Sequence, residues 1–202
     1  MVFIVNLTKP VILASGSPRR KELLALAGFN FTVRPANGEE VTTKTLPCDI
    51  VCELAHQKAF EIAKAQTAPC YVIGADTIVA FENRILGKPK DSADAVRMVS
   101  MLQGSTHQVY TGVTLIEVCT DGSLREKSFY EETNVHVCQM TKDEIASYVA
   151  TGEPLDKAGA YGIQGTFSIY VSGIEGDYFN VVGLPVSRLY HEFASFQNVA
   201  HK

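Results

Sequence analysis

The chain has 202 residues, of which 46% are hydrophobic, and a formal net charge of −4 at pH 7. This length suffices for one sizeable α/β domain or for two lobes that share a sheet. No apolar run approaches the roughly 20 residues that a bilayer crossing requires, and the acidic balance argues against a nucleic-acid-binding protein.

The N-terminal residues and the cysteines point to a cytoplasmic protein. The stretch Met1–Val5 is too short for a secretion signal and lacks a basic flank, so it predicts an extra strand or a loose tail. We assign residues 1–10 as an N-terminal extension and residues 11–202 as a single domain. The five scattered cysteines are odd in number, which favours reduced thiols over a disulfide framework.

The first helix begins with an unusual pair of cations. Val11–Ala14 predicts a short buried strand, and Ser15–Ser17 a tight turn before a helix that begins at Pro18. Arg19 and Arg20 then fall in the first helical turn, where the helix dipole disfavours positive charge. Free backbone N–H groups beside two guanidinium groups favour a phosphate-binding site. The alternative is a surface helix that happens to begin with two arginines.

Strand and helix patterns alternate along the rest of the chain. Strands are predicted at 31–34, 71–81, 106–119, 124–137, 167–172 and 179–182, and helices at 49–64, 91–102, 141–150 and 185–196. Thr141 and Glu144 have the spacing of a capping box, and Asp121-Gly122 is typical of a hairpin turn. The alternation predicts an α/β fold with a mixed sheet and a cleft between two lobes.

Lys58 stands at an apolar position of its helix. It lies four residues after Leu54 and four before Ile62, on the same helical stripe. Either its stem packs while the ammonium reaches solvent at the edge, or the ammonium points into a cleft toward a phosphate.

Asp76 follows an apolar stretch of the predicted strand 71–81 that narrows to Gly74-Ala75. Ligands of open α/β sheets bind beyond the carboxyl ends of strands, and small residues would allow a substrate or a hydrated cation to approach. A carboxylate there could bind Mg²⁺ or accept a proton from water. The alternative is an aspartate that caps the next segment, although Ile78–Ala80 continues the strand pattern.

Three further features are weaker alone. Lys88 lies in a stiff loop between Gly87 and Pro89, and Glu39-Glu40 follows Gly38 in a polar loop, where these carboxylates could help Asp76 to hold a metal. Four glycines occur between positions 152 and 165, which implies a close backbone approach. Within that loop the Gln164 amide could read the edge of a base.

Taken in order, these motifs resemble the Maf family of nucleoside triphosphate pyrophosphatases, from about Val11 to Phe193. The matching segments are Leu13–Leu24, Gly74–Thr77, Gly87–Pro89, Gly112-Val113, Ser147–Gly165 and Val182–Pro185. The resemblance implies a Maf/ITPase-like α/β fold, with an elongated mixed central sheet flanked by helices, and makes residues 11–202 one Maf-like domain. It also implies a cytoplasmic, Mg²⁺-dependent enzyme that hydrolyses a nucleoside triphosphate to the monophosphate and pyrophosphate, as in nucleotide-pool house-cleaning.

Three positions separate the branches of that family. Arg19, Thr77 and Gln164 match the dTTP/UTP branch, whereas the 7-methyl-GTP branch carries Trp, Gln and Glu there. The Asp156-Lys157 pair agrees with the same assignment. The resemblance therefore implies that these three residues shape the base pocket.

The remaining roles rest on the residues and on the resemblance together. The triphosphate is expected to be held by four side chains, Ser15, Arg20, Lys58 and Lys88. Glu40 or Asp76 would hold Mg²⁺, with Mn²⁺ as an alternative, and Asp76 would orient and deprotonate the attacking water.

Other functions stay open at this stage. The rivals are the 7-methyl-GTP branch, a nucleotide-binding regulator of cell division without hydrolysis, and a nucleic-acid binder. The expected partner is a small-molecule nucleoside triphosphate, with no nucleic acid and no membrane. The oligomeric state is undetermined, with a homodimer as one option.

Overall fold

The computed structural model describes residues 7–82 and 84–198, so the strand or tail predicted at Met1–Val5 lies outside the described residues. Within those ranges the chain forms seven strands and six α-helices. In chain order they are β1 Val11–Leu13, α1 Pro18–Leu26, β2 Phe31–Val33, α2 Pro47–Ala63, β3 Cys70–Phe81, β4 Arg84–Leu86, α3 Ser92–Leu102, β5 Thr106–Val118, β6 Leu124–Val137, α4 Lys142–Ala150, β7 Val171–Glu175, α5 Tyr178–Val182 and α6 Val186–Asn198. None of the described helices has the length and apolar character that crossing a membrane requires.

The strands join one seven-stranded sheet in the order β2-β1-β3-β5-β6-β7, with β4 attached to β3. β1 pairs in parallel with both β2 and β3, whereas β4 runs antiparallel to β3 and β7 antiparallel to β6. The predicted mixed sheet is therefore confirmed. The three longest strands are β3, β5 and β6, with 12, 13 and 14 residues.

The described chain divides into two compact units. The first takes in the chain up to Asp76, Thr111–Glu131 and the residues from Gly183 onward, and the second takes in Thr77–Tyr110 and Glu132–Val182. Each has its own hydrophobic core. Ile12, Val72 and Ile116 belong to the core of the first unit, and Val99, Val135 and Phe167 to that of the second. Two units agree with the two predicted lobes, and the cleft stays a prediction.

The predicted capping box of α4 is confirmed, and a side-chain cap also begins α3, whereas α1 has none. Thr141 and Glu144 form the capping box of α4, and the Asp91 carboxylate accepts a hydrogen bond from the Asp94 amide at the start of α3. Ser17 occupies the N-cap position of α1, but its side chain caps nothing. Its own amide instead donates to Ser15 Oγ at 3.3 Å.

Two predicted strands near the C-terminus are wrong. Thr166–Tyr170 forms a short 3₁₀ helix, so the strand predicted at 167–172 begins only at Val171. The strand predicted at Phe179–Val182 is the helix α5. There the Asp177 carboxylate accepts a hydrogen bond from the Phe179 amide at 2.7 Å, as a helix cap does, and short apolar runs do not separate helix from strand by periodicity.

Helix α2 lies directly against the sheet at two glycines. A Cβ atom at Gly74 of β3 would stand 2.7 Å from the Ala59 amide nitrogen, and closer still to the Ala55 carbonyl oxygen. A Cβ atom at Gly112 of β5 would meet the Val51 carbonyl in the same way. Because backbone leaves no room for a side chain at either position, these glycines set how closely α2 approaches the sheet.

The substitution Gly74→Ala tests this contact. We expect it to lower the free energy of unfolding by about 3 kcal/mol, because the added methyl group meets helix backbone that can move only by shifting α2. Urea unfolding followed by circular dichroism measures the effect. Gly87→Ala is the matched control, since a Cβ atom there meets nothing within 4 Å, and it should change the stability by less than about 0.5 kcal/mol. Equal stability of the two variants would contradict the assignment.

Candidate functional site

The centre of the candidate site is an ammonium group held by two carboxylates. Lys58 Nζ lies 2.5 Å from Asp76 Oδ1 and 2.9 Å from Glu40 Oε1. Asp76 is buried, Lys58 is largely buried, and Glu40 is about half exposed. Three segments distant in sequence, all within the first unit, therefore converge on one cation. We call Glu40, Lys58 and Asp76 the carboxylate–lysine cluster.

This contact follows from the packing of α2 on Gly74. Gly74 and Asp76 are two residues apart on β3, so their side-chain directions share one face of the strand. Lys58 follows Ala55 by three residues and precedes Ala59 by one, and both alanines lie against Gly74. The close approach of helix and strand thus brings Lys58 level with Asp76. The alternative in which Asp76 caps a turn is wrong, because Asp76 lies inside β3.

Arg20 lies close to this cluster and is fixed by its own hydrogen bonds. Its Nε donates to the Gly183 carbonyl oxygen at 3.0 Å, and Nη1 donates to Ser15 Oγ at 3.3 Å. Gly183 has a φ angle of 128°, a region that favours glycine, so its carbonyl is presented by a backbone that few other residues adopt. Ser15, in the turn before α1, and Arg20, in its first turn, are therefore in contact, and both are predicted to hold phosphate.

Charges explain how Arg20 tolerates the N-terminus of a helix. Burial lowers the pKa of Arg20, and the nearby charges of Asp76 and Glu40 oppose that effect, while Arg19 adds to it. An arginine in such surroundings stays charged. Arg20 and Lys58 together balance Asp76 and Glu40, so the predicted phosphate receptor already contains its own counter-charges.

The loop that carries Glu40 is held by a row of side chains on α2. Glu61 accepts hydrogen bonds from the amides of Asn37 and Gly38 at 3.0 and 2.9 Å. Gln57 accepts from the Val41 amide at 3.2 Å and donates to the Val41 carbonyl at 2.5 Å. One turn earlier, Glu53 accepts from the Thr42 hydroxyl at 2.5 Å. Residues four apart share a helix face, and we call Glu53, Gln57 and Glu61 the α2 clamp.

Three predicted site residues belong to the second unit. Thr77 is half-buried in β3, directly after Asp76, and Lys88 is exposed in the loop after β4. Gln164 is exposed in a turn that the Gly165 amide closes by donating to the Gly162 carbonyl at 3.0 Å. The place of these three residues in the site, like that of the half-buried Arg19, stays a prediction.

The donor set fits a divalent cation that also binds phosphates. No group of three or more His, Cys, Asp or Glu side chains that could hold a metal gathers within residues 7–82 and 84–198. Mg²⁺, however, usually takes only one or two carboxylates and completes its shell with water and substrate phosphates. Glu40 and Asp76 already direct oxygens at one shared cation, the Lys58 ammonium, so they are suited to this role. Glu39 is exposed.

Sequence reasoning missed the residues that support the site. The α2 clamp is visible in the sequence as polar residues at four-residue spacing, but the loop that it holds cannot be read from that pattern. Gly183 lies in a segment that the family resemblance includes, without a role. Its hydrogen bond to Arg20 joins positions 163 residues apart.

Comparisons with known proteins identify relatives over most of the chain. The family described as Maf-like protein matches residues 10–196. A dTTP/UTP pyrophosphatase of Agathobacter rectalis is 53% identical in an alignment 194 positions long, which covers 90% of this chain and 95% of the relative. A dTTP/UTP pyrophosphatase of Lachnoclostridium phytofermentans is 51% identical over 186 residues, which cover 92% of this chain and 94% of the relative. Among solved structures, a HAM1 protein from Coxiella burnetii has a TM-score of 0.49 at 15% identity, covering 93% of this chain and 100% of that one.

Hydrogen exchange tests the α2 clamp. In Glu61→Ala the amides of Asn37 and Gly38 lose their acceptor, so we expect their exchange to accelerate about tenfold, while Val41 changes little. In Gln57→Ala the Val41 amide should accelerate instead. Exchange rates resolved by NMR measure both effects, and each variant serves as the control for the other. Unchanged rates at all three amides would contradict the clamp.

Proposed function

The chain belongs to the Maf family, and from this membership and the carboxylate–lysine cluster we propose that it is a nucleoside triphosphate pyrophosphatase acting on dTTP and UTP. Water attacks the α-phosphorus, the bond from that phosphorus to the oxygen bridging the β-phosphate breaks, and the monophosphate and pyrophosphate separate. The observation that carries the proposal is the convergence of Lys58, Asp76 and Glu40 beside Arg20. In this proposal the enzyme acts on the cytoplasmic nucleotide pool, and modified pyrimidine nucleotides are further substrates.

Asp76 is the general base in this proposal. Its carboxylate lies on a strand that α2 holds in place, and the Lys58 ammonium contacts it at 2.5 Å. A carboxylate held in this way can orient a water molecule and accept its proton as the oxygen bonds to phosphorus. A positioned base is effective only if it cannot move away, and the packing at Gly74 supplies that constraint.

The cations of the site hold the triphosphate. Arg20 offers a planar guanidinium suited to paired phosphate oxygens, and the Ser15 hydroxyl lies beside it. Lys58 and Lys88 add ammonium groups that neutralise charge as the pyrophosphate leaves. Because Arg20 and Lys58 are already balanced by Asp76 and Glu40, they alone supply no excess positive charge for a polyanion. That balance supports a requirement for an additional cation.

Mg²⁺ is the expected cation, with Mn²⁺ as the alternative, and Glu40 and Asp76 would hold it together with the phosphates. When bound, the ion neutralises phosphate charge and polarises the phosphoryl oxygens.

Arg19, Thr77 and Gln164 form the base pocket in this proposal. Their identities support the dTTP/UTP branch over the 7-methyl-GTP branch, and the relatives named dTTP/UTP pyrophosphatase support the same choice. An amide such as that of Gln164 can donate to and accept from a pyrimidine edge, whereas a glutamate only accepts.

A panel of nucleoside triphosphates tests the function. Purified protein is incubated with Mg²⁺ and each triphosphate, and pyrophosphate and orthophosphate are measured separately. We expect dTTP and UTP to yield monophosphate and pyrophosphate at the highest kcat/KM. A preference for 7-methyl-GTP would favour the other branch, whereas binding without release of pyrophosphate would favour a non-hydrolysing regulator.

The substitution Asp76→Asn tests the general base. It keeps the shape of the side chain but removes the proton acceptor, so kcat for dTTP should fall by about 10²–10⁴-fold. Asp143→Asn, in the exposed first turn of α4, is the control and should retain full activity. Thermal melting of both variants separates loss of catalysis from loss of fold. Retained turnover in Asp76→Asn would refute the role.

The substitution Glu40→Gln tests the cation site. It removes one carboxylate charge, so the Mg²⁺ concentration that gives half-maximal activity should rise about tenfold, while kcat at saturating Mg²⁺ stays within about threefold. Glu39→Gln alters the adjacent exposed residue and should leave the Mg²⁺ dependence unchanged. Chelation of the metal should abolish turnover of the wild type. The same Mg²⁺ dependence in both variants would exclude Glu40 as a ligand.

A further inference from the structure

The loop that bears Gln164 is organised around one carboxylate, that of Glu153. Its Oε2 accepts hydrogen bonds from the Thr166 amide at 2.9 Å and from the Thr166 hydroxyl at 2.8 Å. Its Oε1 accepts from the Tyr148 hydroxyl at 3.3 Å. Burial alone would raise the pKa of Glu153, but the bonds from Thr166, the charge of Lys157 and the bond from Tyr148 hold it below its usual value. The carboxylate is therefore ionised at neutral pH and fixed at both oxygens.

The turn that presents Gln164 rests directly on this carboxylate. A Cβ atom at Gly165, the residue after Gln164, would coincide with the Glu153 carboxyl group. The φ angle of Gly165 is −94°, a value that any residue adopts, so a side chain there would conflict with the position of the Glu153 carboxylate and not with the backbone conformation. Glu153 thus supports the backbone immediately beyond Gln164.

Lys157 supports the other end of the same turn. A Cβ atom at Gly162 would stand 2.7 Å from Lys157 Cε, and Lys157 Nζ donates to the Glu153 carbonyl oxygen at 2.7 Å. The side chains of Glu153 and Lys157 therefore pack against the backbone of residues 162–165. Tyr148, whose pKa is raised by burial, keeps its proton and donates a hydrogen bond to Glu153. Gln164 itself is exposed.

We infer that Glu153, assisted by Lys157, is a positioning residue that sets the base preference of the enzyme by fixing the turn of Gln164. This inference rests on the proposed function, since it assigns a means of selecting the base to the same site. An exposed glutamine on an unsupported loop would sample many orientations, and one well-placed amide discriminates bases only when its donor and acceptor are held in register. Glu153 needs no contact with the nucleotide to exert this effect.

The measured quantity is the ratio of kcat/KM for UTP to kcat/KM for GTP. In Glu153→Ala this ratio should fall about fivefold to tenfold, the range that the loss of one oriented hydrogen bond produces, with little change in the rate for GTP. Glu153→Gln retains an oxygen that can accept from Thr166, so it should keep the ratio within about twofold of the wild type. Glu144→Ala removes the capping box of α4 and is the control: it should lower the melting temperature but leave the ratio unchanged.

A double variant tests whether Glu153 acts through Gln164. Gln164→Ala alone should lower the ratio, and adding Glu153→Ala should lower it no further, because the amide that Glu153 positions is then absent. If Glu153→Ala fails to fold, Gly165→Ala takes its place, since its methyl group displaces the same turn from the carboxylate.

The outcomes separate the two claims. A wild type that releases no pyrophosphate from any triphosphate overturns the proposed function. An active wild type with a ratio near one, a proportional loss for both substrates in Glu153→Ala, or additive losses in the double variant overturns the role of Glu153. A reduced ratio that is rescued by Glu153→Gln and is not additive with Gln164→Ala supports it.

Discussion

The arrangement of this site depends on one shared cation. Lys58 Nζ contacts carboxylates that precede it by 18 residues and follow it by 18, so an interior helix, a strand and a polar loop meet at a single atom. A largely buried ammonium without a partner would be costly, and so would a buried carboxylate at Asp76. Each group is therefore stable in its place only because the others are there. The chemistry of the site and the local stability of this unit have the same physical origin.

Two kinds of contact fix the position of α2 and of the loop that it holds. On the sheet side, Gly74 and Gly112 let helix backbone lie directly on strand backbone, which removes the freedom that intervening side chains would give. On the solvent side, Glu61 and Gln57 hold the loop that brings Glu40 to Lys58. The helix is thus fixed against the strand and in turn fixes the loop. A side chain at the centre of such an arrangement loses little entropy when it binds a ligand.

The sequence predicts the parts whose causes are local. Thr141 and Glu144, three residues apart, predict the start of α4. The apolar stripe around Lys58 indicates that this lysine needs a partner of opposite charge, which Asp76 supplies. The prediction fails for Phe179–Val182, where Asp177 turns a strand-like run into a helix. It also misses the roles of Gly183 and Glu153, because these roles depend on tertiary contacts with Arg20 and Thr166. Position in a motif identified both segments, but only the contacts of the folded chain explain them.

Each of the two loops that carry proposed functional residues donates backbone amide hydrogen bonds to a glutamate carboxylate. Glu61 accepts amides of the loop that bears Glu40, and Glu153 accepts an amide of the loop that bears Gln164. Hydrogen bonds from Asn37 and Gly38 lower the pKa of Glu61, and the pKa of Glu153 is also lowered. A carboxylate with a depressed folded-state pKa contributes its stabilisation fully above its unfolded value and loses it as the pH falls through the folded one. The hydrogen bonds to both carboxylates are therefore kept throughout the neutral range and weaken only in acid, below the pH at which an ordinary glutamate, with a pKa of about 4.3, takes up a proton. A carboxylate clamp therefore keeps the geometry of both loops constant across the neutral pH range.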